Sequence, residues 1–153
     1  MKVKVVEEDD MRYIISDIHG CKKQYLELLG KIKFSEQDHL YILGDSVDRG
    51  EEPIEILRYI MKQKNVTYII GNHDYILYLF IKKAGLNLDN FENDEIKWSF
   101  KFWQCDGGLP TIEGFLALSE YERKEIYEFI DNEKHMKKSN MKGNDIFYLM
   151  REL

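Results

Sequence analysis

A chain of 153 residues has the length of one ordinary domain, and a composition 44% hydrophobic and 33% charged is that of a globular protein with its own core. No apolar stretch approaches the roughly 18 residues of a membrane span, and a formal net charge of -6 works against broad nucleic-acid binding while leaving room for a local positive pocket. Two cysteines, Cys21 and Cys105, without C-x-x-C spacing and without a secretory leader, lead us to expect a cytoplasmic protein.

Residues 1–10 form a charged N-terminal extension ending in Glu7-Glu8-Asp9-Asp10, and 11–153 read as one domain. Two readings of the extension stand side by side: a short extra strand over Val3 to Val6, or an over-long start with Met11 as the true first residue. Arg12 to Ser16, Leu40 to Leu43 and Val66 to Ile70 are runs rich in β-branched and apolar residues and predict buried strands. Between the first two, Tyr25, Leu28, Leu29 and Ile32 recur at i, i+3, i+4, i+7 as one apolar helical stripe, and Ser35 to Asp38 turns the chain into the second strand. Pro53 opens the next helix, with Ile54, Leu57, Ile60 and Met61 on its inner face. Strand, helix, strand, helix, strand implies a parallel sheet, and right-handed crossovers put both helices on one face.

Tyr75 to Ile81 is apolar on all sides and predicts a buried helix. A polar connection over Gly85 to Asn93 leads to Ile96, Phe100 and Trp103, a helix with an aromatic core face, which Gly107-Gly108 and Pro110 break. Ser119 and Glu122 make a capping box ahead of Ile126, Phe129 and Ile130. Lys134 to Asn144 reads as a solvated basic loop and Ile146 to Met150 as a final strand.

Directly behind the three strands stand Asp17-Ile18-His19-Gly20, Gly44-Asp45-Ser46-Val47-Asp48-Arg49-Gly50 and Gly71-Asn72-His73-Asp74. Ligands of parallel sheets collect beyond the carboxyl ends of the strands, so these strings are expected to converge on one edge. Asp17, His19 and Asp45 offer two carboxylates and an imidazole, a donor set suited to Mn²⁺, Fe or Zn²⁺ more than to Ca²⁺. Asn72 adds a neutral oxygen. Two ions about 3.5 to 4 Å apart, bridged by Asp45, would clamp a phosphate and make hydroxide from water near neutral pH. Arg49 matches phosphate oxygens as a fork. His73 is placed to protonate the leaving oxygen and Asp48 to orient it. His39 and His135 lack such company and read as surface or satisfied histidines, Cys21 as incidental and Asp74 as a cap of the following helix.

These strings resemble the metallophosphoesterase superfamily, in the bacterial and phage branch similar to serine/threonine protein phosphatases and diadenosine tetraphosphatases. D-x-H-G, G-D-x-x-D-R-G and G-N-H-D occur in the family's order, and the resemblance runs from Met11 to about Ile130. Trp103-Gln104-Cys105-Asp106-Gly107-Gly108, followed by Thr111, also resembles the family's W-x-x-N-G-G-x-x-T, with Asp106 in place of Asn. The resemblance implies a calcineurin-like α/β core. It further implies that Asp17, His19 and Asp45 bind a first metal, that Asp45 and Asn72 bind a second, that Arg49 binds phosphate and that His73 with Asp48 forms the acid dyad.

The departure lies at the carboxyl end, where the family continues into a second sheet carrying an H-x-G histidine, a later G-H histidine and another phosphate-binding arginine. Arg151-Glu152-Leu153 follows the last apolar run here. A largely missing second sheet, a weak second metal site and self-association through the incomplete sheet are therefore expected. The first expectation for function is a metal-dependent hydrolase of phosphomonoesters, protein phosphoserine and phosphothreonine among them, acting through metal-activated hydroxide with manganese as the expected ion. The alternatives are a bis(5'-nucleosyl)-tetraphosphatase-like hydrolase, or a non-catalytic remnant or binding module that needs a partner chain. The partner expected is a phosphorylated substrate, with neither membrane nor nucleic acid.

Overall fold

The computed structural model describes residues 11–132. The extension, the Lys134 to Asn144 loop, His135 and the Ile146 to Met150 strand lie outside the described residues. Within them, β1 (Arg12–Ile15), β2 (His39–Ile42) and β3 (Val66–Tyr68) form a parallel sheet in the order β1-β2-β3. The register aligns Tyr13 with Leu40 and Val66, and Ile15 with Ile42 and Tyr68. One face of the sheet is thus apolar in three successive strands, and Leu40, Ile42 and Tyr68 on it are buried. The other face carries Arg12, Ile14, His39, Tyr41 and Thr67 and is more open, with Ile14 53% exposed. His39 is satisfied there, its Nε2 lying 2.9 Å from Thr67 Oγ1 and its ring against Tyr41.

Both crossover helices form as the periodicity predicts, α1 over Lys22–Lys31 and α2 over Pro53–Met61, and they pack against each other. α2 buries Ile54, Ile56, Leu57 and Ile60, so its apolar face is wider than the predicted stripe. α1 is looser. Tyr25 is buried, but Leu28 is 40% exposed.

α3 (Asn72–Ala84) begins inside the third string and is not buried all round: Leu79 is 37% exposed, while Leu77, Phe80, Ile81 and Ala84 are covered. Beyond the irregular stretch, α4 (Asp94–Ser99) and α5 (Lys101–Trp103) carry Ile96, Phe100 and Trp103 into the core, where Phe100 and Trp103 meet Phe80. The break falls at Asp106 and Gly107 in a wide turn over Gln104–Gly108. A helix missed in the sequence, α6 (Leu109–Leu116), follows at once, since Pro110 sits in its first turn, where no backbone N–H is needed. α7 (Glu120–Asp131) starts on the predicted capping box, with Ser119 Oγ and Glu122 exchanging bonds, and packs on α3. Among the described residues, no helix is long and apolar enough to cross a membrane.

Candidate active site

The three strings meet at the carboxyl ends of their strands, held by backbone hydrogen bonds that continue the sheet pairing past its last residue. Asp17, His19 and Gly20 donate N–H bonds to Gly44, Asp45 and Ser46 at 3.3, 2.9 and 2.8 Å. The approach is close enough to exclude side chains at two glycines. A Cβ on Gly50 would stand 2.2 Å from the His19 carbonyl oxygen, and one on Gly71 would stand 2.2 Å from Asp45 Oδ1. Asp17, His19, Asp45, Asp48 and Arg49 adopt φ between 44° and 70°, a left-handed conformation that costs a non-glycine residue about 1 kcal/mol or more. All five stand in the first two strings.

Asp74 offsets part of that strain. Its buried carboxylate accepts N–H bonds from Gly71 at 2.7 Å, from Asp45 at 2.8 Å and from Ser46 at 3.2 Å. Beyond capping α3 as expected, it ties the second string to the third and so sets the position of Asp45. Burial pushes its pKa up, and the Gly71 N–H opposes that shift. Asp45 Oδ1 in turn accepts the His73 N–H at 3.0 Å.

Asp48 and His73 form the pair the sequence suggests, with His73 Nδ1 2.6 Å from Asp48 Oδ2 and both side chains buried. Two further donors close on the same carboxylate. Trp103 Nε1 donates to Oδ2 at 2.6 Å and the Thr111 hydroxyl to Oδ1 at 2.5 Å, while the Asp48 N–H returns a bond to that hydroxyl at 2.9 Å. A buried carboxylate with three side-chain donors is fully accommodated, so the proton of neutral His73 is fixed on Nδ1 and Nε2 faces the site. The tryptophan and threonine of the W-x-x-x-G-G-x-x-T stretch both bond to Asp48 here, where the sequence pattern places Trp103 in the core and leaves Thr111 without a partner.

The half-exposed Arg49 guanidinium bridges the two histidines, Nη1 lying 3.1 Å from His19 Nε2 and Nη2 3.1 Å from His73 Nε2. The imidazole rings stand edge to face, 4.9 Å apart. Asp106 faces the same group: Oδ1 lies 3.8 Å from Arg49 Nη2, and Oδ2 lies 3.8 Å from His73 Nε2.

The donor chemistry suits a divalent cation. His19 Nδ1 lies 2.9 Å from the Val47 carbonyl oxygen, which leaves the Nε2 lone pair for ligation, and Asp17 Oδ1 is 3.8 Å from that Nε2. Asp45 adds a carboxylate seated against Gly71, and Asn72, exposed at the start of α3, an amide oxygen. Yet no three His, Cys, Asp or Glu side chains among the described residues stand in positions to hold one ion. The Arg49 guanidinium meanwhile lies on His19 Nε2. An ion bound there needs the guanidinium to swing away.

A profile of the calcineurin-like phosphoesterase family matches residues 12–151. Among curated relatives, a symmetrical bis(5'-nucleosyl)-tetraphosphatase of Buchnera aphidicola from Acyrthosiphon pisum (strain Tuc7) is 40% identical over 83 residues, 53% of this chain and 30% of that protein. The protein of the same name from Coxiella burnetii (strain Dugway 5J108-111) is 43% identical over 75 residues, 48% of this chain and 25% of its own length. The alignments therefore span less than a third of these relatives. A crystal structure provisionally assigned as a diadenosine tetraphosphatase shares 29% identity and a TM-score of 0.43, over 50% of this chain and 39% of that one. With the profile covering nearly all of the chain and its motifs assembled at one sheet edge, this protein belongs to the calcineurin-like phosphoesterase family.

Proposed function

We propose that the chain is a metal-dependent phosphoester hydrolase whose substrate class is dinucleoside polyphosphate ahead of phosphoprotein. The observation that carries the hydrolytic reading is the buried Asp48–His73 pair opening onto Arg49. Arg49 is the phosphate-binding group, a fork that matches two phosphoryl oxygens and keeps its charge at any working pH. His73 is the general acid: once Arg49 turns to the phosphate and Nε2 takes up a proton from water, it delivers that proton to the oxygen that leaves phosphorus as the P–O bond to water forms and the P–O bond to the leaving group breaks. Asp48 orients the ring and balances its charge, and Trp103 and Thr111 hold Asp48 still.

Asp17, His19 and Asp45 would hold one divalent ion, and Asp45 with Asn72 a second, weaker one. Such ions, when bound, polarise phosphoryl oxygens and lower the pKa of water. Family members use divalent metals, and manganese is the ion we expect here.

The relatives named above favour the dinucleotide over the phosphoprotein, although they match only part of each protein. Steady-state rates of the manganese-supplemented chain on diadenosine tetraphosphate and on a phosphoserine peptide test the order. A higher kcat/KM on the dinucleotide is expected, and the reverse order would restore the protein phosphatase reading.

A further inference from the structure

We propose that Asp106 acts as an internal anion on Arg49, beside His73, which a substrate or product phosphate must displace. The inference rests on the reading of Arg49 and His73 as the phosphate-facing groups. A carboxylate presents two oxygens in a plane, and Asp106 directs one at each of these groups, Oδ1 at Arg49 Nη2 and Oδ2 at His73 Nε2, both at 3.8 Å. A phosphoryl group bound to the same pair would present its oxygens in the same way.

The backbone next to Asp106 is held in place. The carbonyl-side neighbour Gly107 accepts the Arg49 N–H at 2.8 Å and adopts a φ of 95°, and a Cβ at that position would come within 2.7 Å of Arg49 Cγ. The wide turn thus lies directly on Arg49 and sets the carboxylate against the guanidinium. The contact is also weak enough to open. At 3.8 Å it exceeds hydrogen-bond length, and the Asp106 side chain is 64% exposed. A solvent-screened pair of this kind changes an equilibrium by a small factor, so a competing dianion can displace it. Its negative charge then remains beside the bound phosphate, which weakens binding and speeds product release. An asparagine in this position would keep the shape and lose the charge.

Isothermal titration of inorganic phosphate into the full chain tests the inference, with wild type, Asp106→Asn, Asp106→Ser, Arg49→Gln and the Asp106→Asn/Arg49→Gln double variant. Both Asp106 variants are expected to bind phosphate about three- to tenfold more tightly than wild type, with the gain shrinking in high salt. Arg49→Gln is expected to weaken binding and to remove most of the gain in the double variant. Unchanged affinity in both Asp106 variants, with Arg49→Gln still weak, overturns the inference and leaves the phosphate reading standing. Arg49→Gln binding phosphate as wild type does overturns the phosphate reading and the inference with it.

Discussion

Asp48 is the residue on which the site turns. Its carboxylate is fully buried, and His73, Trp103 and Thr111 all bond to it, so removing one donor leaves a desolvated charge short of a partner. A hydrogen bond to a charged group contributes about 1.5 to 3 kcal/mol. Trp103→Phe keeps the aromatic core contact with Phe80 and deletes only the indole N–H, so a melting temperature lower by roughly 3 to 10 °C is expected in calorimetry. A kcat reduced more than KM is expected with it, because Asp48 then holds His73 less firmly; an unaltered kcat would show that the indole serves packing alone. The pairing of Asp48 with His73 was legible in the sequence, since both lie in strings whose convergence a parallel sheet dictates. Trp103 was not, for its spacing with Ile96 and Phe100 reads as an apolar stripe and its N–H leaves no trace in a hydrophobic pattern. Asp106 was visible only as a departure from a motif, and its approach to Arg49 is a fact of three dimensions.

At the scale of elements, the site is made by loops that touch backbone to backbone. Gly71→Ala places a methyl group in the space of the Asp45 carboxylate, which must rotate away from the His73 N–H. Manganese titration followed by calorimetry should show this variant binding the ion at least tenfold more weakly than wild type; equal affinity would remove Asp45 from the ligand set. A second carboxylate steadies the sheet far from the site. Asp38 accepts from the Ser35 N–H at 2.7 Å, the Ser35 hydroxyl at 2.9 Å and the Met11 N–H at 3.1 Å, joining the start of β1 to the turn before β2. The Ser35 N–H above all holds its pKa below the ordinary carboxylate value. A carboxyl whose folded pKa is lowered contributes stability above its unfolded value of about 4, and that contribution is lost as pH falls through the folded pKa. Asp38→Asn should therefore lower the melting temperature at pH 7, with the difference closing as pH falls below about 4; a constant difference down to pH 3 would exclude the charge. Strands and crossovers were legible because β-branched runs and the i, i+3, i+4, i+7 period are local signals. α6 was not, since glycines and a proline announce a break and cannot say that a new helix starts on the proline.

On the scale of the molecule, the described residues form one α/β layer with the chemistry on one edge and a partly open face behind it. β1 is an edge strand among the described residues, and Ile14 on the open face is 53% exposed. An edge strand carrying an exposed Ile14 favours pairing with another copy, so sedimentation velocity should show concentration-dependent association that Ile14→Lys reduces; a wild-type chain that stays monomeric at high concentration contradicts this. The curated relatives extend well beyond the matched stretch, and whether this chain turns over on its own is decided by its own residues. The most direct measurement is the initial rate of diadenosine tetraphosphate hydrolysis by the manganese-supplemented chain, compared with His73→Gln. A wild-type rate above the metal-only background, falling about a hundredfold or more in the variant, is the result predicted. A wild-type rate equal to background, or one that His73→Gln leaves unchanged, would contradict the assignment of this site to phosphoester hydrolysis through His73.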